Sequence, residues 1–154
     1  MNQSVAIQDK GTAGALIKGM EQRIKEMLPE HMKPERMVRV FNNAVSRNPK
    51  LLQCTQSSFC AAITAASEFG LEPNTPLGLC HIIPYGKEAT FQMGYAGLVE
   101  LAYRSGQIEN IYAQTVYEND KFQWILGTER KLIHEPCMSN RGPAIGYYVV
   151  IEIK

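Results

Sequence analysis

Apolar residues in the first part of this chain recur at helical spacing. Leu16, Ile17, Met20, Ile24, Met27 and Leu28 share one face, which predicts a helix over residues 12–28, capped at Asp9 or Thr12 and stopped at Pro29. Residues 1–11 lack the pattern and are expected to be frayed or disordered, so the predicted domain covers 12–154. Pro34 is a good first-turn residue and opens a second helix that ends before Pro49. Its wheel places Met37, Phe41, Ala44 and Val45 on one side and Arg36, Arg39, Asn43 and Arg47 on the other, an amphipathic helix with a basic outer face. A third helix is predicted over 56–69, with Thr55 as its cap and Gly70 as a left-handed stop. Its many alanines and small residues suit close packing in the core.

From Leu71 onward the period shortens. "LEPNTPLG" is turn-rich, and "CHIIPYGKEATFQM" reads as two strands around Tyr85-Gly86-Lys87, a hairpin with Phe91 and Met93 on one face and Gln92 on the other. Helical spacing returns from Tyr95 to Ser105 and ends at Gly106, with Arg104 in the last turn, where the helix dipole favours a cation. Alternation then resumes in "QIENIYAQTVYE", "KFQWILG", "KLIHEP" and "AIGYYVVIEIK", and Glu118-Asn119-Asp120 is predicted to join the first two of these as a hairpin. The order predicts an α+β fold, N-terminal helices followed by an antiparallel β-sheet with one inserted helix. The last strand stops at Lys154 with no capping element, as if the chain ended inside a fold.

Composition narrows the function classes. At 154 residues, 45% hydrophobic and 20% charged, the chain suits one globular domain with a core. It has no apolar run of transmembrane length, and its start lacks the basic and apolar blocks of a secretory signal, so a cytoplasmic protein is expected. Charge is uneven: residues 1–50 hold nine Lys/Arg against five Asp/Glu, whereas 51–154 hold seven against ten. That asymmetry fits a polyanion contact, a surface for head-to-tail assembly, or simply a solvated helix face. Cys80-His81 and His134-x-x-Cys137 are of zinc-ligand type, but adjacent strand residues face opposite ways and do not easily share a metal, so no metal or other cofactor is expected.

Gly94-Tyr95-Ala96-Gly97 stands at a strand-to-helix junction, the place where many proteins cradle a phosphate. A P-loop would end in Gly-Lys-Ser/Thr, and a dinucleotide site would add a third glycine on a parallel βαβ unit; both features are missing. Tight packing of helix on strand remains as the reading of the glycines. No spacing suggests a nucleophile–base pair, and the carboxylates are scattered, so an enzyme is not expected. Single-stranded nucleic-acid binding needs basic residues interleaved with flat side chains. The chain offers Tyr85, Lys87 and Phe91, then Tyr103 and Arg104, then Lys121, Trp124, Arg130, Lys131 and Arg141, with Arg47 on the basic helix.

The segment "FQMGYAGLVELAYRSGQI" resembles the core motif of the RecT family of phage and prophage single-strand annealing proteins. "TQSSFCAAITAASEFGLEPNTPLG" is similar to that family's helix and its Gly-Leu-Glu-Pro turn, "IIPYG" to its first hairpin, and "VYENDKF" with "GTERKLIHEP" to its later hairpin and Ile-His-x-Pro ending. The likeness covers residues 34–154. It implies a protein that binds single-stranded DNA, anneals complementary strands without ATP and assembles into rings or helical filaments. The implied partners are a phage exonuclease and a host single-strand binding protein. The implied fold is an antiparallel sheet backed by a helix, with DNA in a basic groove running across subunits.

Carried onto this chain, the signature falls on Gln92, Tyr95, Arg104, Ser105 and Gly106. In that picture Tyr95 and Leu98 lock their helix to the sheet beside Gly94 and Gly97. Arg104 is the first candidate for a phosphate contact, unless it serves only to cap its helix, and Lys87 is the next. Tyr103, Gln92, Lys121, Lys131, Arg141 and Arg47 complete the expected DNA-binding set. Two departures stand out. The family usually carries Lys or Arg inside Gly-Tyr-x-Gly, where this chain has Ala96, so weaker DNA affinity is expected. Family members also run on past this point with another glycine turn and more helical, basic segments, which implies a chain lacking the part that closes the groove. An assembly module with little DNA affinity is the rival expectation.

Overall fold

The computed structural model describes residues 5–154, and the chain divides after Leu101 into two compact units. In the first unit, α1 (Lys10–Gly19) and α2 (Glu21–Met27) replace the single helix expected over 12–28. The break falls at Met20, whose N–H bonds back to Ile17 and Leu16 while its φ/ψ of −91°/−2° leaves the regular helix. Asp9 is the cap, accepting from the Thr12 N–H at 2.7 Å, and that bond lowers its pKa. α3 (Pro34–Arg47) and α4 (Gln56–Phe69) follow the predicted boundaries, joined by a 3₁₀ turn at Pro49–Gln53 that the sequence pattern did not show. Thr55 Oγ1 accepts from the Ser58 N–H, and Gly70 ends α4 at φ +58°, where a Cβ would also collide with the Pro29 ring.

α3 buries Met37, Phe41, Ala44 and Val45 against α1 and α2, and leaves Arg36, Arg39, Asn43 and Arg47 outside. α4 buries Phe59, Ala62, Ile63 and Ala66, and packs on the β1–β2 hairpin. The expected disorder at the start holds at neither residue 6 nor residue 7. Ala6 bridges Thr55, Ile7 is buried, and its N–H bonds the Cys54 carbonyl at 2.8 Å. Burying one isoleucine side chain contributes about 1.5–3 kcal/mol, and the bond from the Gln56 N–H to the Val5 carbonyl at 2.9 Å adds to it. Lys10 and Gly11 already belong to α1, and the part of that expectation that falls on residues 1–4 lies outside the described residues.

Strands β1 (Cys80–Tyr85) and β2 (Glu88–Met93) form the expected antiparallel hairpin around Gly86-Lys87, and α5 (Tyr95–Arg104) follows at once. Beyond α5, four strands make two ladders: β3 (Ile108–Tyr117) pairs with β6 (Ala144–Ile153), and β4 (Lys121–Ile125) with β5 (Lys131–Glu135), all antiparallel. The α+β class is as expected, but the strands form three two-stranded sheets. The predicted β3–β4 hairpin is corrected. Two ten-residue strands offer each other a longer ladder than the five-residue β4 can, and the Pro143 and Arg141 carbonyls extend it by taking the Glu118 and Asn119 N–H groups. Among the described residues, no helix is long and apolar enough to cross a membrane.

Candidate nucleic-acid interface

The register of the β1–β2 hairpin sorts its side chains onto two faces. Ile82, Ala89 and Phe91 join the core with α4, while His81, Ile83, Tyr85, Glu88, Thr90 and Gln92 point the other way. This outer face is largely open: Tyr85 is 58% exposed, and its hydroxyl donates to Gln92 Oε1 at 3.3 Å. Lys87 is exposed in the turn at one end, where its carbonyl accepts the Thr55 N–H at 2.8 Å and so fixes the turn against the start of α4. A sheet face with flat and amide side chains, bordered by a cation, can receive unstacked bases and a phosphate.

At the other end the glycines account for themselves. The Gly94 N–H bonds the Leu79 carbonyl at 2.9 Å. A Cβ on Gly94 would overlap the Gly78 carbonyl oxygen, and one on Gly97 the Leu79 carbonyl oxygen. The first turn of α5 therefore lies directly on the 78–79 backbone, the tight packing expected of the motif. The expected role of Tyr95 and Leu98 is corrected: they are 84% and 59% exposed, because close contact through backbone needs no side-chain lock. Asn74, at φ +57°, braces the same segment. Its amide bonds both the N–H and the carbonyl of Ile82, and its own carbonyl accepts from Arg47 at 3.0 Å.

In the second unit, the β4–β5 hairpin separates what the sequence had interleaved. Phe122, Trp124, Leu132 and His134 share one face, and Lys121, Ile125, Lys131 and Glu135 the other. The aromatic face meets Tyr148 of β6, with Phe122, His134 and Tyr148 ring centroids within 5.6–5.8 Å, beside an apolar cleft of about 410 Å³. Behind them lies Asp120, whose side chain has no exposed surface. Its carboxylate accepts from Arg141 Nε and Nη2, from His134 Nε2, and from the Tyr117 and Cys137 N–H groups. Arg141 first, then His134 and the two amides, hold the Asp120 carboxyl far below the usual carboxylate range. The sequence pattern places Asp120 in a turn beside Glu118. Nothing in its local pattern signals that four chain segments converge on it.

Three of the eight expected DNA-binding residues fall in the first unit. Lys87 and Gln92 share the hairpin, and Arg47 is tied to Asn74. The other five fall in the second. Tyr103 is held by Ile111 N–H to its hydroxyl at 2.9 Å, and Arg104 is exposed in the last turn of α5. Lys121 pairs with Glu135 at 2.9 Å, Lys131 is exposed at the start of β5, and Arg141 is engaged by Asp120, the Thr115 carbonyl and the Tyr117 ring. A guanidinium with this many internal partners is a poorer phosphate contact than an exposed lysine, so Arg141 is assigned first to the scaffold. Gly106 ends α5 at φ +72°, as its stop position required. Burial pushes the Cys80 thiol up to about 12, and the described residues contain no group of three or more His, Cys, Asp or Glu placed to hold a metal.

Helices first, then antiparallel strand pairs with a glycine-seated strand-to-helix junction between them in the sequence, define an α+β protein. The sequence model of the RecT family matches residues 35–154, and the chain belongs to that family. It is 36% identical to the protein RecT of Escherichia coli (strain K12) over 143 residues, covering 88% of this chain and 53% of that protein. It is also 36% identical to the uncharacterized protein YqaK of Bacillus subtilis (strain 168) over 64 residues, 42% of this chain and 22% of that one. The chain thus spans about half the length or less of these curated relatives.

Proposed function

We propose that this chain binds single-stranded DNA and promotes annealing of complementary strands without ATP, in recombination of the RecT type, and that it does so as an assembly of copies. The observation that carries the reading is the outer face of the β1–β2 hairpin, with Tyr85 and Gln92 open to solvent and Lys87 at the turn. The work would be physical. Phosphates meet the exposed cation Lys87, bases lie on the flat side chains, and a strand held with its bases outward pairs with its complement. A salt titration of oligonucleotide binding tests it. Lys87→Ala is expected to weaken binding and to reduce the salt slope by about one contact. Ala96→Lys, which restores the cation usual in the family, is expected to strengthen it. Parental affinity and slope in both variants would rule out this face.

One observation favours a second reading, an assembly module with little DNA affinity. On β6, Ile145, Tyr147, Val149, Ile151 and Ile153 form an exposed apolar stripe. Docking of the basic outer face of α3 on a neighbouring copy would be a second route to such assembly. Sedimentation with and without an oligonucleotide separates the readings, because association without DNA uptake supports the module alone.

A further inference from the structure

We infer that Tyr95 is a base-stacking platform, the point at which a single strand lying on the outer face of the β1–β2 hairpin reaches α5. The inference rests on the nucleic-acid reading above and adds a residue that the sequence assigned to packing.

Tyr95 is 84% exposed, more than any other aromatic side chain among the described residues. A ring so placed gains almost nothing from folding, since apolar stabilisation scales with area removed from water. Its mount, by contrast, is rigid. Gly94 and Gly97 flank it, and each lies so close to the 78–79 backbone that a Cβ would overlap a carbonyl oxygen. The Gly94 N–H is bonded to Leu79, and the Leu98 N–H closes the first helical turn on the Gly94 carbonyl at 3.2 Å. The segment thus holds the backbone under Tyr95 fixed while its ring stands in solvent. A fixed aromatic on a pre-organised backbone loses little entropy on binding a flat partner.

The surroundings favour a base over an apolar protein surface. The hairpin leading to Tyr95 presents His81, Tyr85, Glu88, Thr90 and Gln92 outward with one aliphatic side chain, Ile83, and with Lys87 at its far turn. This is a mainly polar strip with flat groups, better suited to bases than to an aliphatic partner. Stacking is tolerant of sequence, because every base has a π-face, and it carries no charge. Loss of Tyr95 should therefore reduce affinity and leave the salt dependence alone, the reverse of losing Lys87.

The test uses the full chain and a fluorescein-labelled oligothymidylate. Tyr95→Ala is expected to weaken binding about tenfold or more with an unchanged salt slope, and Tyr95→Phe to bind like the parent. The exposed ring carries no fold stability, so thermal unfolding should match the parent in both. In a Trp124→Phe background, the indole introduced by Tyr95→Trp should be quenched as the oligonucleotide binds. If the parent binds and Tyr95→Ala binds equally well, the inference fails and the nucleic-acid reading stands. If the parent takes up no oligonucleotide, both fail. If Tyr95→Ala abolishes self-association in sedimentation and leaves oligonucleotide affinity intact, the ring belongs to a protein contact and the inference is overturned.

Discussion

Met37, Phe41, Phe59 and Ile63 lie at the centre of the first unit with almost no exposed surface, whereas the second unit buries one apolar side chain, Val116, and centres on a carboxylate, Asp120. The first is held by many small apolar contributions that add up across α1, α3 and α4. The second is held by one acceptor that β3, β5, the Cys137 backbone and the 138–143 loop all use. An apolar core loses stability by degrees when a side chain is trimmed. A buried polar network fails as a unit, because each partner of the missing atom is left unsatisfied. The difference teaches where each unit is vulnerable.

The largest effect should therefore come from Asp120→Ala. It strands the Tyr117 and Cys137 N–H groups, His134 Nε2 and the Arg141 guanidinium together. Breaking a buried pair by removing one partner is among the most damaging single changes. Hydrogen exchange should show lost protection in β3–β6 and β4–β5, with α3 and α4 still protected. Equal loss in α3 and α4 would break the comparison, since the first unit has its own core. The same carboxylate fixes the pH response. Its folded pKa is lowered, so its contribution is complete above the unfolded value of about 4 and is lost only as the pH falls through the folded value. Acidification to about pH 5 should leave that contribution in place.

How much of this the sequence disclosed follows from the range of the forces. Pro34, Thr55 and Gly70 act on their own turns, so the bounds of α3 and α4 could be read directly. The hairpin at Gly86 is equally local. The partner of β3 lies some thirty residues away in β6 and was chosen by ladder length, which no window on β3 contains. Tyr95 was misplaced for a related reason. A motif of glycine and tyrosine shows that something packs closely, but only the coordinates show that the backbone packs and the ring does not. Trp124 and Lys131 interleave along the sequence because they are close in it, and strand alternation sets them on opposite faces.

A middle-sized effect sharpens the contrast through two glycines. A Cβ on Gly97 meets the Leu79 backbone and lies 3.2 Å from Leu71 Cδ1, atoms that cannot simply swing aside. Gly97→Ala should cost about 1–3 kcal/mol through forced repacking. Gly146 in β6 has nothing within 4 Å of its would-be Cβ, so Gly146→Ala should stay within about 0.5 kcal/mol of the parent. Urea midpoints of the two variants make the comparison. Equal midpoints would mean that the seat of α5 on the 78–79 backbone yields more readily than its packing implies.

The smallest effect probes the rim of the Asp120 network. An ionised carboxylate only accepts, so His134 Nε2 carries the proton it shares with Asp120 at 3.0 Å. In the neutral ring Nδ1 is then an acceptor, and the Tyr148 hydroxyl donates to it at 3.0 Å. Tyr148→Phe removes that one donor and keeps the ring that packs on Phe122 and His134. The expected loss is about 0.5–1.5 kcal/mol, confined to the second unit, because the Asp120 acceptors remain in use. Hydrogen exchange of β6 against α4 measures it. A loss as large as that of Asp120→Ala would move the centre of the network from the carboxylate to the imidazole, and the second unit would then depend on His134 first.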